Sequence, residues 1–118
     1  MAWPQRVASG VAPPDLGAIG ALTFQHPDRE TFACLDLAYA ALATGGTASA
    51  TLNAANEVAV AAFLDGRIGF LDIPAVIAET LESAETLPAD SIEHLLAADA
   101  AARRHAGLQL AHRAGACA

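Results

Sequence analysis

The densest group of polar side chains lies in an otherwise apolar stretch and consists of Asn53, Asn56 and Glu57. One carboxylate with two amides is a poor ligand set for a transition metal, which prefers imidazole or thiolate. A buried amide needs hydrogen-bond partners and commonly fixes how two segments dock. Because Asn53 and Asn56 lie one helical turn apart, we predict that they bond to backbone groups at helix ends or loops and serve a structural role.

The other candidates for acid–base or metal chemistry are the four histidines, His26, His94, His105 and His112. Only His105 and His112 have a spacing that lets them share one helix face. Helical metal sites usually space two histidines about four residues apart, and the neighbouring Arg103, Arg104 and Arg113 would repel a cation. We predict a solvated helix face here, and no metal ligand in the chain.

Side chains that could act as nucleophiles or bases fall in no catalytic pattern. The serines are Ser9, Ser49, Ser83 and Ser91. None stands in Gly-x-Ser-x-Gly, and no glycine-rich phosphate loop is present. The chain has no lysine, which removes Schiff-base and phosphate-loop lysines. Carboxylate pairs such as Glu79 and Glu82 fit ordinary helix surfaces, so we predict no catalytic residue.

Charge and composition restrict the partners and the compartment. Six basic residues, all arginine, stand against 13 acidic ones, a net charge of −7 that disfavours nucleic acid and membrane surfaces as partners. The uncharged stretch 37–56 is polar and broken by Gly45-Gly46, so it does not predict a membrane span. The start of the chain shows no signal-peptide pattern, and we predict a cytoplasmic protein. Cys34 and Cys117 predict a core thiol and a terminal thiol in a reducing compartment.

The elements that would position these residues are mainly helical. Alanine, the best helix former, occupies 31 of the 118 positions. Four of the six prolines fall in residues 1–30, which we therefore predict to be an extended N-terminal arm, with one possible short strand over 21–24. Residues 31–118 are predicted to form a separate domain, a four-helix-type bundle.

Within the predicted bundle, glycine and proline set the helix limits. We predict helices over 32–43 and 48–65, ended by Gly45-Gly46 and Gly66. A third helix begins near Asp72 as N-cap, with Pro74 in its first turn. Asp90 and Glu93 fit a capping box for a further helix. Either Asp99 caps a last helix running to about residue 113, or the two are continuous.

Two stretches resemble one enzyme family closely. The first is MAWPQRV at residues 1–7, followed by SGV at 9–11, and the second is LNAANEVAVAAFL at residues 52–64. Together with shorter fragments between them, they resemble the C-terminal part of 1-deoxy-D-xylulose 5-phosphate reductoisomerase, over essentially the whole chain.

The resemblance implies a much longer enzyme that uses NADPH and Mg²⁺ or Mn²⁺, usually as a homodimer, in the non-mevalonate route to isoprenoids. Its catalytic domain would lie upstream or on another chain, and this chain would support it structurally without binding either cofactor alone. Only Met1 matches a family position near the nicotinamide and is the one cofactor-binding candidate. The alternative is a free-standing helical interaction module without enzymatic activity.

Overall fold

The computed structural model describes residues 10–116, and it describes side chains as far as residue 113. This part of the chain forms five helices and no strand, so the prediction of a mainly α fold is confirmed. The helices are α1 (Leu16–Ile19), α2 (Ala33–Thr44), α3 (Ala48–Leu64), α4 (Asp72–Ser83) and α5 (Ile92–Ala116). None of them is both long and apolar enough to cross a bilayer.

The described part of the predicted arm, residues 10–30, is exposed along its whole length. Its one helical turn, α1, is capped by Asp15, whose Oδ1 accepts from the N–H groups of Gly17 at 3.0 Å and Ala18 at 3.2 Å. The predicted strand over 21–24 is wrong, because a strand needs a second strand to pair with and residues 10–116 supply none. The division into an arm and a separate domain at residue 30 stays a prediction.

Helices α2 to α5 form the bundle, with α3 at its centre, packed against α2, α4 and α5. The buried side chains of α3 and α5 are mostly methyl groups: Ala54, Ala55, Ala59, Ala62, Ala98, Ala102 and Ala106. Val76 and Ile77 of α4 are the large side chains that fill the space between them. Alanine faces let helix backbones approach closely, and larger groups from one helix then complete a dense core.

The turn between α2 and α3 is fastened to the segment between α4 and α5. Gly45 and Gly46 have positive φ angles of 73° and 52° and end α2, as predicted. Thr47 is fully buried and bonds in both directions with the backbone of Leu87. A Cβ on Gly46 would lie 2.4 Å from the Leu87 carbonyl oxygen, so only glycine fits this approach.

The helix predicted to begin near Asp72 does begin there, but the capping residues predicted for two helices differ from the structure. Asp72 is the first residue of α4. Its carboxylate accepts at 2.8 Å from the N–H of Gly69, which precedes the helix. At the start of α5, Ser91 Oγ accepts from the N–H of His94 at 3.1 Å, so Ser91 takes the place predicted for Asp90. Ser91 directly precedes α5, so its hydroxyl reaches the third N–H of the helix, as an N-cap side chain does.

Helix α5 is continuous from residue 92 to residue 116, so the two-helix alternative is wrong. Asp99 lies inside the helix and pairs with Arg103, four residues later, at 2.8 Å. An i,i+4 acid–base pair supports a helix instead of starting one.

Candidate functional site

The predicted polar cluster on α3 is an ion-pair network with α5. Asn53 Nδ2 donates to Glu57 Oε1 at 3.1 Å, and Arg103 of α5 donates to Glu57 Oε2 at 2.7 Å. Arg103 also donates to both carboxylate oxygens of Asp99. The prediction that Asn53 bonds to backbone is therefore wrong. Asn53 is exposed, and its nearest acceptor is the carboxylate one turn along its own helix.

This network is unsuited to acid–base catalysis. Hydrogen bonds from Arg103 and Asn53 hold the pKa of Glu57 below its ordinary value. The Arg103 hydrogen bond likewise lowers the pKa of Asp99, and both acids raise the pKa of Arg103. A catalytic base works best with a pKa near the operating pH, and these shifts point the other way. The network joins α3 to α5 across 46 residues of sequence.

His105 and Ser83 are the one serine–histidine pair that the described side chains bring together. Ser83 Oγ lies 3.2 Å from His105 Nδ1, and also 2.9 Å from the Glu79 carbonyl and 3.2 Å from that of Thr80. A hydroxyl has one proton, and the carbonyls can only accept. The hydroxyl can donate either to a carbonyl of its own helix or to His105 Nδ1, so the direction of the Ser83–His105 bond follows the His105 tautomer. In either direction the bond links α4 to α5.

The prediction of a solvated histidine face holds for His112, which is exposed, but not for His105, which is half-buried against α4. His94 Nδ1 lies 2.8 Å from Asp90 Oδ1, at the start of α5. Within residues 10–116, no three His, Cys, Asp or Glu side chains come together in a way that could hold a metal ion.

Glu79 also differs from the solvated acid that the sequence suggests. Its Oε1 accepts from Arg113 at 2.6 Å, which ties α4 to the C-terminal end of α5. Only 22% of the Arg113 side chain is exposed, and its buried Nε has no hydrogen-bond partner in the described structure. The unpaired Nε is a cost that offsets part of what this ion pair contributes to stability.

An apolar cleft of about 270 Å³ opens between the start of α2 and the start of α4, and we call it the Phe32–Phe70 cleft. Its lining is Thr31, Phe32, Ala33, Cys34, Leu35, Asn56, Val60, Phe70, Leu71, Ile73 and Pro74. Phe70 packs edge-on against Phe63, with ring centres 5.7 Å apart. Cys34 is exposed in this cleft, so the predicted core thiol is wrong. Large apolar side chains at the rim of a cleft are typical of an interaction surface.

The arm adds further exposed apolar groups. Leu16, Leu22 and Phe24 are between 65% and 86% exposed. Arg29 of the arm pairs with Asp36 of α2 and lies over the Tyr39 ring, with 5.5 Å from Arg29 Cζ to the ring centre. Scattered apolar residues are normal on a surface, but three large ones within nine residues form an apolar surface that a neighbouring domain could cover. The candidate functional site of the described chain is therefore a docking surface, composed of the arm and the cleft.

Comparison with known proteins assigns the family. The profile of the DXP reductoisomerase C-terminal domain matches residues 1–105. The chain belongs to the DXP reductoisomerase family. The 1-deoxy-D-xylulose 5-phosphate reductoisomerase of Cupriavidus metallidurans is 56% identical over 115 residues, which are 98% of this chain and 29% of that protein. The Pseudomonas aeruginosa reductoisomerase is 52% identical over 115 residues, with the same coverage.

Solved reductoisomerases share the fold. The Zymomonas mobilis enzyme, in complex with NADPH, is 39% identical and superposes with a TM-score of 0.82 over 92% of this chain and 29% of its own. A reductoisomerase in complex with NADPH, fosmidomycin and magnesium is 36% identical, with a TM-score of 0.77 over 92% of this chain and 29% of its own. The chain thus spans less than a third of the reductoisomerases that it matches.

The remaining predicted site residue, Met1, lies outside the described residues, as do Ser9 and Cys117. Its place near the nicotinamide stays a prediction. Sequence reasoning missed Arg103 as the centre of the α3–α5 network, although its i,i+4 spacing from Asp99 was a signal. It also missed the rim residues Phe70 and Leu71, for which the sequence held no signal besides two adjacent apolar residues after a glycine.

Proposed function

We propose that this chain is the C-terminal helical domain of an NADPH-dependent 1-deoxy-D-xylulose 5-phosphate reductoisomerase, and that it supports a catalytic domain supplied by residues outside it. The observation that carries the proposal is the match to a C-terminal domain over residues 1–105, together with relatives of which this chain spans only 29%. The enzyme would act in the cytoplasm, as a homodimer, in the non-mevalonate synthesis of isoprenoids.

The described residues do not fit the cofactors of such an enzyme. A divalent magnesium or manganese ion needs clustered oxygen ligands, whereas Glu57 and Asp99, the acids of the densest cluster, are already bound to Arg103. NADPH needs a site that orients its nicotinamide against the substrate, and residues 10–116 contain no glycine-rich loop after a strand. We therefore propose that the catalytic part holds the metal ion and NADPH, with Met1 as the one residue of this chain near the nicotinamide, and that residues 31–118 hold the catalytic part in shape.

The alternative is a free-standing interaction module. The exposed apolar residues of the arm and the cleft fit this reading as well, because any partner of matching shape would cover them. The length of the match and its place in the family profile favour the reductoisomerase.

The test joins this chain to the preceding part of the Cupriavidus metallidurans relative, in place of the matched residues. NADPH oxidation is followed by the absorbance of the reduced nicotinamide, with 1-deoxy-D-xylulose 5-phosphate and Mg²⁺ present. We expect the fusion to oxidise NADPH only with the substrate, and this chain alone to show no such oxidation. A folded fusion without activity would favour the free-standing module.

A further inference from the structure

The Phe32–Phe70 cleft is a small apolar pocket with a buried floor and an exposed apolar rim. Its volume of about 270 Å³ lies below the roughly 300–1,000 Å³ that is usual for small-molecule pockets. Its floor includes Ile73, which is 6% exposed, while the rim residues Phe32, Phe70 and Leu71 are 58%, 61% and 76% exposed. Protein interfaces concentrate their binding energy where a large apolar side chain enters such a pocket.

One polar group lies in the wall of this cleft. Asn56 of α3 is half-buried, and its side-chain amide makes no hydrogen bond with any residue that the structure describes. If an occupant covered the cleft without a polar group of its own, this amide would be buried without a partner, which is costly. The cleft therefore fits an occupant that places an apolar side chain in it and a backbone N–H or carbonyl within hydrogen-bond distance of the Asn56 amide.

The arm ends at the rim of the cleft. The arm joins α2 through Thr31 and Phe32, and both line the cleft. The family profile that matches this chain is that of a C-terminal domain, and the matched part is only 29% of the Cupriavidus metallidurans relative. In such a relative the rest of the enzyme precedes the arm, so the arm would join it to the rim of the cleft.

We propose that the Phe32–Phe70 cleft is a docking site for the domain that precedes this chain in its relatives, and that it receives one large apolar side chain of that domain. The inference rests on the proposed function and adds to it the surface at which the bundle contacts the preceding domain. A tether through the arm raises the effective concentration of the preceding domain at the cleft, so a small contact suffices to keep it docked.

Cys34 provides a native probe, because its exposed thiol lines the cleft. The rate of its reaction with N-ethylmaleimide is measured by mass spectrometry of the peptide that carries it, in this chain alone and in the Cupriavidus metallidurans fusion. We expect labelling to be at least about tenfold slower in the fusion, since only the undocked fraction reacts. Phe70→Asp in the fusion should restore fast labelling, because docking would bury a carboxylate in an apolar cleft.

Leu108→Asp is the matched control, since Leu108 of α5 is as exposed as Phe70, at 61%, and does not line the cleft. It should leave labelling slow. Leu71→Asp, also at the rim, serves as a second cleft variant should loss of the Phe63 contact unfold Phe70→Asp. Either cleft variant counts only if its circular dichroism matches that of the unsubstituted protein.

The outcomes separate this inference from the proposed function. Unchanged labelling in an active fusion overturns the cleft as a docking site and leaves the function standing. If labelling of this chain by itself becomes slower as its concentration rises, a second copy covers the cleft, and the occupant proposed here is wrong. Fast labelling in an inactive fusion overturns both, whereas slow labelling in an inactive fusion supports the docking and contradicts the function.

Discussion

The backbone N–H of Thr47 donates to the carbonyl oxygen of Leu87 at 2.9 Å, and the Thr47 hydroxyl accepts from the N–H of Leu87 at 3.0 Å. These two bonds join segments 40 residues apart, the turn before α3 and the segment before α5. Thr47 is completely buried, so water cannot replace a bond that is lost there. The connection sets where α5 begins relative to α3.

Replacing Thr47 with valine should lower the free energy of unfolding by about 1–3 kcal/mol, because the N–H of Leu87 loses its acceptor. Thr80→Val is the matched control, since Thr80 is equally buried but donates to the Val76 carbonyl of its own helix at 2.7 Å. That carbonyl keeps its helical partner. Urea unfolding followed by circular dichroism measures both, and equal losses would contradict the role given to Thr47.

Gly46→Ala should destabilise the protein by more than Gly45→Ala. Both glycines have positive φ, so alanine strains the backbone at either position by about 1 kcal/mol, but only at Gly46 does the new Cβ meet the Leu87 oxygen. We expect a total loss of about 2–4 kcal/mol at Gly46. Thermal unfolding of the two variants checks the order, and a Gly45 variant as unstable as the Gly46 variant would count against it.

Ala59→Leu should disrupt the contact of α3 with its neighbours, because Ala59 has no exposed surface and its methyl group faces the core. Overpacking a dense core costs about 1–3 kcal/mol or more. Ala61→Leu on the same helix is the control, since Ala61 is exposed and leucine is a good helix former. Comparable urea midpoints for the two variants would show that the alanine core is loosely packed.

Arg103→Met should lower stability at neutral pH and have progressively less effect in acid. Arg103 holds the pKa values of Glu57 and Asp99 below their ordinary 4.5 and 3.8. A lowered folded pKa stabilises the protein above the ordinary value, and this contribution disappears as the pH falls through the lowered pKa. Arg104→Met, at a neighbouring position outside the network, should show no such pH dependence. A difference between Arg103→Met and wild type that is as large at pH 3 as at pH 7 would contradict this account.

The helix pattern could be predicted because its signals are local. Gly45, Gly46 and Gly66 take the positive φ angles that end helices. The i, i+3, i+4 spacing of Ile73, Val76 and Ile77 marks the buried face of α4. The helix limits accordingly agree with the predictions to within about a residue at most ends. The family could be identified from residues 52–64 for a different reason, the length of an uninterrupted match.

What could not be predicted depends on contacts distant in sequence. Asn53 donates to Glu57, which also accepts from Arg103 of α5. The contact between Glu57 and Arg103 depends on how α3 and α5 pack, which no local sequence pattern predicts. Cys34 was predicted to be a core thiol but is exposed, because the first turn of α2 lies at an open cleft. A segment such as 21–24 has strand-like composition, but pairing requires a second strand elsewhere.

The central claim is that the bundle supports a catalytic domain, and the most direct test is the turnover number of the Cupriavidus metallidurans fusion with and without residues 31–118 of this chain. Small misplacements of catalytic groups cost about a hundredfold in rate, so we expect removal of the bundle to lower kcat for NADPH oxidation by at least about that factor. A fusion that ends at residue 30 and keeps the full rate would contradict the claim.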